Sequence, residues 1–302
     1  VHNREMGSYK DGIYDTAAIK GKDIRISLDA ALQAYGEKLM QNKIGSIVAL
    51  EPSSGQILAL VSSPSYDPNL LVGRIRGKNY KILKQDSLEP LFNRPLMATY
   101  PPGSTFKLLN ALIGLQEETL NPGTKYDCDG PDSWPIRCSH YHITPLKLVS
   151  AIEMSCNPYF WKVFRAIITK YPNTHDGFNA WRAYVNDIGF GSRFQSDLFG
   201  QARGFIPQES YYDHYYGKTG WKAITIRSLA IGQGEILVTP LQLANMTACI
   251  ANRGYYIPPH FLMDVQDADA EAFLPEKVIT NIESKYYETV IEGMYQVFEG
   301  EH

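Results

Sequence analysis

Ser104 and Lys107 stand three residues apart in the run Tyr100-Pro101-Pro102-Gly103-Ser104-Thr105-Phe106-Lys107. On a helix that spacing places both side chains on one face. A serine hydroxyl is a poor nucleophile until a neighbour takes its proton. A lysine can do so only where burial or nearby cations bring its pKa down from about 10.4. Phe106, Leu108 and Leu109 supply apolar surroundings. A serine in the first turn also meets the positive end of the helix dipole, which favours a developing negative charge. The bare pattern equally describes a surface helix with a capping serine and a solvated lysine; the Pro-Pro-Gly run narrows it by fixing Ser104 at a helix start. A second group is Ser155-Cys156-Asn157. There a hydroxyl able to relay a proton sits beside an amide able to hold a carbonyl. Asn157 before Pro158 is also a good helix N-cap with proline at the first helical position. Capping accounts for Asn157 but not for Ser155.

Between these groups lie Cys128, Cys138, His140 and His142, and Cys156 falls inside the second. Three Cys and one His make a tetrahedral zinc set. The expected ligands of a structural zinc are Cys128, Cys138, His142 and Cys156, with His142 chosen over His140. His142 comes directly before a helix expected from Thr144, and Cys156 directly after it. The spacing is not that of a C-x2-C knuckle. Three alternatives stay open: a short Cys128–Cys138 disulfide, free buried thiols, and histidines that are polar loop residues. A metal held by Cys156 would position Ser155 and Asn157 directly.

The elements that must carry these residues are legible in outline. Ser27–Met40 has helical spacing, with Asp29 near its start. Ile44–Leu50 and Gln56–Ser62 are nearly continuous apolar runs joined by Glu51-Pro52-Ser53-Ser54-Gly55, which predicts a hairpin covered on both faces. Residues 64–102 read as a long wrapped loop, with the basic residues of 74–85 on a solvated face. Helices are predicted over Ser104–Gln116, from Thr144-Pro145, from Pro158 and over Phe178–Ile188, the last ended by Gly189. Thr239-Pro240-Leu241-Gln242 is a capping-box signature for a helix stopping at Gly254. A hairpin alone is not a stable sheet, and few convincing strands follow it.

The text around the motifs is more specific than the motifs. Asn93-Arg94, Tyr100 through Lys107, Ser155-Cys156-Asn157-Pro158-Tyr159-Phe160, and Ala230 through Gln242 with Gly232-Gln233-Gly234 all resemble class B penicillin-binding proteins, and most of all their elongation-type transpeptidases. The likeness spans roughly residues 22–302. It implies the penicillin-recognising α/β fold, an antiparallel sheet flanked by helices. It also implies a serine acyl-transfer enzyme of peptidoglycan synthesis. Ser104 would attack the D-Ala-D-Ala carbonyl of a stem peptide, Lys107 would be general base, Ser155 would pass a proton to the leaving D-Ala, and Asn157 would hold the substrate amide. β-Lactams would acylate the same serine. The whole protein would sit in the inner membrane with this domain in the periplasm, working with the cell-elongation machinery. Alternatives are a D,D-carboxypeptidase, a β-lactamase, for which no deacylating Glu motif stands out, or a non-catalytic β-lactam sensor or scaffold.

The family's third box, Lys-Thr-Gly followed by Thr or Ser on an edge strand, has one formal match, Lys218-Thr219-Gly220-Trp221. It lies just before Gly232-Gln233-Gly234, where the family has a loop, and Tyr211–Tyr216 reads as a polar aromatic loop. Lys218 is therefore expected to be a decoy. Thr289–Gly300 resembles the family helix before that box. The sequence is expected to lack the strands that follow it, so that the sheet is incomplete and the chain by itself acylates poorly. Residues 1–23 are expected to be a lead-in from a pedestal domain, with 24–302 the transpeptidase domain.

Composition sets outer bounds. Hydrophobic residues are 44% and charged residues 20% of the 302, which excludes a disordered chain. With 29 Lys+Arg against 32 Asp+Glu the net charge is -3, which argues against a nucleic-acid partner. No apolar run reaches the ~18 residues of a membrane span.

Overall fold

The structure, a computed structural model, describes residues 20–266 and 274–300. Of the expected lead-in, residues 1–19 lie outside the described residues. Among those described, the elements run β1 (Ile24–Ile26), α1 (Ala30–Leu39), β2 (Gly45–Leu50), β3 (Ile57–Ser63), α2 (Arg76–Gln85), α3 (Arg94–Met97), α4 (Phe106–Gln116), α5 (Leu148–Glu153) and α6 (Asn157–Thr169). They continue with α7 (Thr174–Asp187), α8 (Glu209–Tyr216), α9 (Pro240–Ala251), β4 (Tyr255–Tyr256), β5 (Leu262–Val265), β6 (Val278–Ile279) and α10 (Tyr287–Glu299).

Helices dominate, and α4 is their centre. Phe106, Leu109, Ala111, Leu112, Ile113 and Leu115 are all buried, and so are Lys107 and Asn110. A helix apolar all round belongs inside a domain. It packs on α5, α6, α7 and α10. Gly114 lets α6 approach: a Cβ there would stand 3.0 Å from a Val163 methyl. Phe106 meets Trp181 of α7 edge-on at 6.0 Å, and Asn110 accepts the Trp181 indole N–H at 2.8 Å. The helix bearing the candidate lysine is thus fixed on several sides. Truncating Phe106 to Ala should cost about 3–5 kcal/mol.

The strands are few and short. β2 and β3 form the predicted antiparallel hairpin, Gly45 opposite Ser63; β1 pairs with β5 and β4 with β6. Each sheet has two strands among the described residues. The hairpin is covered from both sides. Gly36 of α1 touches Val61 and Ile47, while Val48, Leu50 and Leu60 pack on the main core. Asp29 caps α1, accepting from the N–H groups of Ala31 and Leu32. The capping box of α9 forms as read, with Gln242 N–H on Thr239 Oγ1 at 3.2 Å and Thr239 N–H on Gln242 Oε1 at 2.9 Å.

Three readings of the sequence need correction. Residues 64–102 are not one loop: α2 and α3 lie within it. α2 is largely exposed, so its sequence lacks the apolar stripe that announces a helix. Tyr211–Tyr216 is helical, not loop, and buries Tyr212 against Phe178 and Trp221. The helix expected from Thr144 starts at Leu148. Leu146 instead exchanges both backbone hydrogen bonds with Tyr126 (2.9 and 3.1 Å), which holds that stretch extended.

Candidate active site

Ser104 lies in a 3-10 turn, Gly103–Thr105, that runs into α4. Two neighbours fix the turn. Tyr100 exchanges both backbone bonds with Val238 at 2.9 Å, and Gly103 N–H donates to Gly232 O at 2.8 Å. Gly232 has φ +66°, and a Cβ there would fall 2.2 Å from Gly103 O, so only glycine fits. In the sequence Gly232-Gln233-Gly234 matched no phosphate loop; in the fold it backs the turn that carries Ser104. Ser104 is exposed, and its hydroxyl makes no hydrogen bond among the described residues.

Lys107 is only 2% exposed. Its Nζ donates to Ser155 O at 2.7 Å, Ser155 Oγ at 2.9 Å and Asn157 Oδ1 at 2.6 Å. An ammonium has three N–H groups, and the Ser155–Asn157 turn takes all three. Burial brings the Lys107 pKa down to about 8, against an upward pull from Cys138 and Cys156. The sequence reading paired Lys107 with Ser104 directly. In the structure its recorded bonds go to the other motif, so the lysine joins the two. Loss of a proton leaves two N–H groups and one lone pair. One acceptor is then released, and the nitrogen can receive a proton.

Ser155 sits where helices usually end in glycine. α5 closes with Cys156 N–H on Ala151 O and Ser155 N–H on Ile152 O, the Schellman arrangement. Its left-handed position is Ser155, φ +48°. A side chain there costs about 1–2 kcal/mol, and such strain gathers at functional sites. Asn157 does not cap α6. It is the first helical residue, Cys156 precedes it as N-cap, and Nδ2 donates to Arg137 O at 3.0 Å. The capping explanation of Asn157 is thereby replaced by one in which the amide bridges Lys107 and the 128–142 loop. The Arg137 carbonyl carried no signal in the sequence, because any residue supplies one.

That loop folds back as the four-ligand arrangement requires. One atom each from Cys128, Cys138, His142 and Cys156 lie within 4.8 Å of one another, with Cys138 Sγ 3.0 Å from His142 Nε2. All four cysteines of the chain are free thiols, so the Cys128–Cys138 disulfide is not formed. His140 turns away, with Nε2 on Met154 O at 3.2 Å. Burial and the neighbouring His140 and Lys107 hold the His142 imidazole below its ordinary pKa, in the neutral form a metal needs. Its Nδ1 is buried without a partner. Burial pushes the Cys156 thiol up strongly. Three thiols and a neutral imidazole at this separation fit tetrahedral zinc.

Lys218, Thr219 and Gly220 occupy an exposed turn after α8, not a strand. Trp221 is buried and donates to Asp213 at 2.8 Å.

Comparison with known proteins gives the family and the fold. The penicillin binding protein transpeptidase domain family matches residues 45–302. The chain belongs to that family. It is 35% identical over 252 residues to the peptidoglycan D,D-transpeptidase MrdA of Acinetobacter baumannii, covering 80% of this chain and 36% of that protein. Its fold is similar to a crystal structure of Pseudomonas aeruginosa penicillin-binding protein 2 in complex with WCK 5153, at TM-score 0.78 and 34% identity, covering 93% of this chain and 63% of the other. It is also similar to an imipenem acyl-enzyme complex of penicillin-binding protein A from M. tuberculosis, at TM-score 0.76 and 25% identity, covering 94% and 65%. The chain thus spans little more than a third of the A. baumannii relative. The α/β fold implied by the sequence motifs is the fold observed. No helix among the described residues is long and apolar enough to cross a membrane.

Proposed function

We propose that this chain forms the acyl-enzyme centre of a peptidoglycan D,D-transpeptidase. Ser104 Oγ attacks the penultimate D-Ala carbonyl of a stem peptide, and its proton passes to neutral Lys107 Nζ. Ser155 Oγ, 2.9 Å from that nitrogen, hands a proton to the departing D-Ala amine as the C–N bond breaks. An amine of a neighbouring stem then attacks the acyl carbon and displaces Ser104. One observation carries the reading: a lysine one turn after an exposed serine is buried, has its pKa lowered, and bonds to the hydroxyl and the amide of the second motif. The names of the relatives support the same chemistry, and the imipenem acyl-enzyme relative supports β-lactams as ligands.

The test is covalent labelling of the protein that carries this chain with a fluorescent penicillin, read by peptide mass spectrometry. The adduct is expected on the peptide containing Ser104 and absent from Ser104→Ala. An adduct elsewhere, or none with the wild-type residue, overturns the assignment. Release distinguishes the alternatives: a sensor stays acylated, a β-lactamase hydrolyses repeatedly, and a transpeptidase joins stem peptides.

The same reading places the domain in the periplasm, with the whole protein acting beside the cell-elongation machinery. It also places a structural zinc on Cys128, Cys138, His142 and Cys156. The metal would tie the 128–142 loop to the start of α6 and so hold Ser155 and Asn157 on either side of Cys156. Metal analysis of protein purified with and without a strong chelator tests this. About one zinc per chain is expected, with a lower melting temperature once it is removed; zinc-free protein of unchanged stability refutes it.

A further inference from the structure

A second cavity, of about 590 Å³, opens between α7, α8 and the segment 203–206. Its wall carries Arg182, Arg203 and His214 and the rings of Phe205, Tyr211 and Tyr215, and no Asp or Glu lines it. Among the described residues neither guanidinium has an ion pair, and Arg182 Nε is buried without a hydrogen-bond partner. Two acids of the neighbouring segments are already engaged, and Glu209, between Gln208 and Ser210, does not line the cavity. Glu235 accepts from the Tyr212 hydroxyl at 2.9 Å, and Asp213 accepts from Trp221 and faces His175 at 2.7 Å. Two guanidinium groups without ion pairs thus line an acid-free hollow flanked by aromatic rings.

One wall of the hollow is braced by Gln242 of the α9 capping box. Gln242 Nε2 donates to Arg203 O and Ser192 O, both at 3.0 Å, and so pins the segment carrying Arg203. Phe205 exchanges backbone bonds with Leu237 at 2.6 and 2.9 Å, and the next residue, Val238, pairs with Tyr100. Tyr100 leads directly into the turn of Ser104. One short ribbon therefore runs from the cavity wall to the nucleophile.

We propose that this cavity is a second binding site for peptidoglycan, apart from the acylation cleft. A sugar or apolar face of the strand lies on Tyr211, Tyr215 and Phe205, and a free carboxylate of its stem peptide pairs with Arg182 and Arg203. Arginine suits a carboxylate through its forked donors, and aromatic rings offer flat, weakly polar faces for stacking. The identity of the ligand rests on the function proposed above; the cationic, aromatic character of the site does not.

The test uses the Ser104→Ala protein, which cannot be acylated, with a soluble uncross-linked disaccharide-pentapeptide followed by calorimetry. The double variant Arg182→Gln/Arg203→Gln should bind at least tenfold more weakly, and the same muropeptide with its carboxyl groups amidated should bind the parent as weakly. With Ser104 restored, the double variant should react with penicillin at the parental rate. Undiminished binding by the double variant, or equal binding of the amidated probe, overturns the proposal. If the double variant melts early, Arg203→Gln alone, at an exposed position, must still weaken binding. Arginine-dependent binding in a protein that penicillin never labels would keep this site and remove the catalytic reading.

Discussion

The two ends of α4 hold two buried charges that behave in opposite ways. At the first turn, Lys107 has three neutral acceptors and no carboxylate. At the last, Glu117 caps the helix with its carboxylate on Lys170 Nζ (2.8 Å), the Tyr171 hydroxyl (2.9 Å) and the Tyr184 hydroxyl (2.8 Å). Both charges oppose the helix dipole. Burial works against both, but only Glu117 has a counter-ion. Its pKa is lowered despite burial, chiefly by hydrogen bonds from Lys170, Tyr184 and Tyr171, so its charge is locked in. Lys107 is lowered by burial itself, so its charge is loosely held. One hub fastens the lobe, and the other holds a charge whose loss burial brings close to neutral pH. The lesson is that burial and three hydrogen bonds do not make a buried ion structural; the charge of its partners decides.

Exchanging each hub for an apolar side chain separates these roles most sharply. Lys107→Met should lower penicillin acylation on the order of 10³-fold, the loss of a general base. Its melting temperature should fall less than that of the Glu117 variant, since removing a buried charge that has no counter-ion offsets the hydrogen bonds lost by Ser155 and Asn157. Glu117→Leu should do the reverse. It strands two tyrosine hydroxyls and Lys170, costing about 2–3 kcal/mol, while acylation below the melting range is unchanged. Stopped-flow labelling and thermal melts on both variants check this. If Lys107→Met is the one that unfolds, the contrast fails.

Titration gives the next largest effect. If neutral Lys107 is the base, the acylation rate should climb with pH and reach half its plateau near pH 8. Between pH 7 and 9 that is roughly a tenfold rise. Stability moves in different windows for the two hubs. Lys107 has a lower pKa folded than unfolded, so the unfolded chain binds more protons between pH 8 and about 10.4. The penalty for its charge is present in full below pH 8 and is relieved as pH rises through that range. Glu117 is also lowered, so its contribution is present above the ordinary carboxylate pKa and disappears as acid protonates it. A rate profile that is flat from pH 6 to 9 would remove Lys107 from the proton path.

Much of this site was legible in the sequence because its signals are local. Ser104, Lys107, Ser155, Asn157 and the capping box of α9 each announce themselves within four residues. The four ligand positions were legible as residue types, while their convergence depends on a loop that no periodicity describes. What stayed hidden came from long range or from backbone atoms. Lys107 reaches across 48 residues to Ser155, Gly232 touches Gly103, and Asn157 rests on the carbonyl of Arg137. The Glu117 hub was missed because its partners lie 53 to 67 residues away. α2 and α8 were missed for a different reason. Their faces are exposed or aromatic, so the apolar repeat that marks a buried helix is weak.

The smallest effect is also the most discriminating, because it concerns the backbone under Ser155. The Schellman turn wants glycine where φ is +48°, and the chain supplies a serine. If the side chain is kept for its hydroxyl, then removing the hydroxyl alone and removing the whole side chain should differ in stability but not in chemistry. Ser155→Ala keeps the Cβ and therefore the strain; Ser155→Gly releases it. Gly should be more stable than Ala by about 1–2 kcal/mol, less the greater entropy that glycine gives the unfolded chain. Both variants lack the oxygen that Lys107 holds at 2.9 Å, so both should lose roughly the same 10²-fold or more of the acylation rate. Paired melts and labelling rates decide the matter. If Ser155→Gly keeps the parental rate, Ser155 serves only to end α5, and the proton path must run from Lys107 through another group.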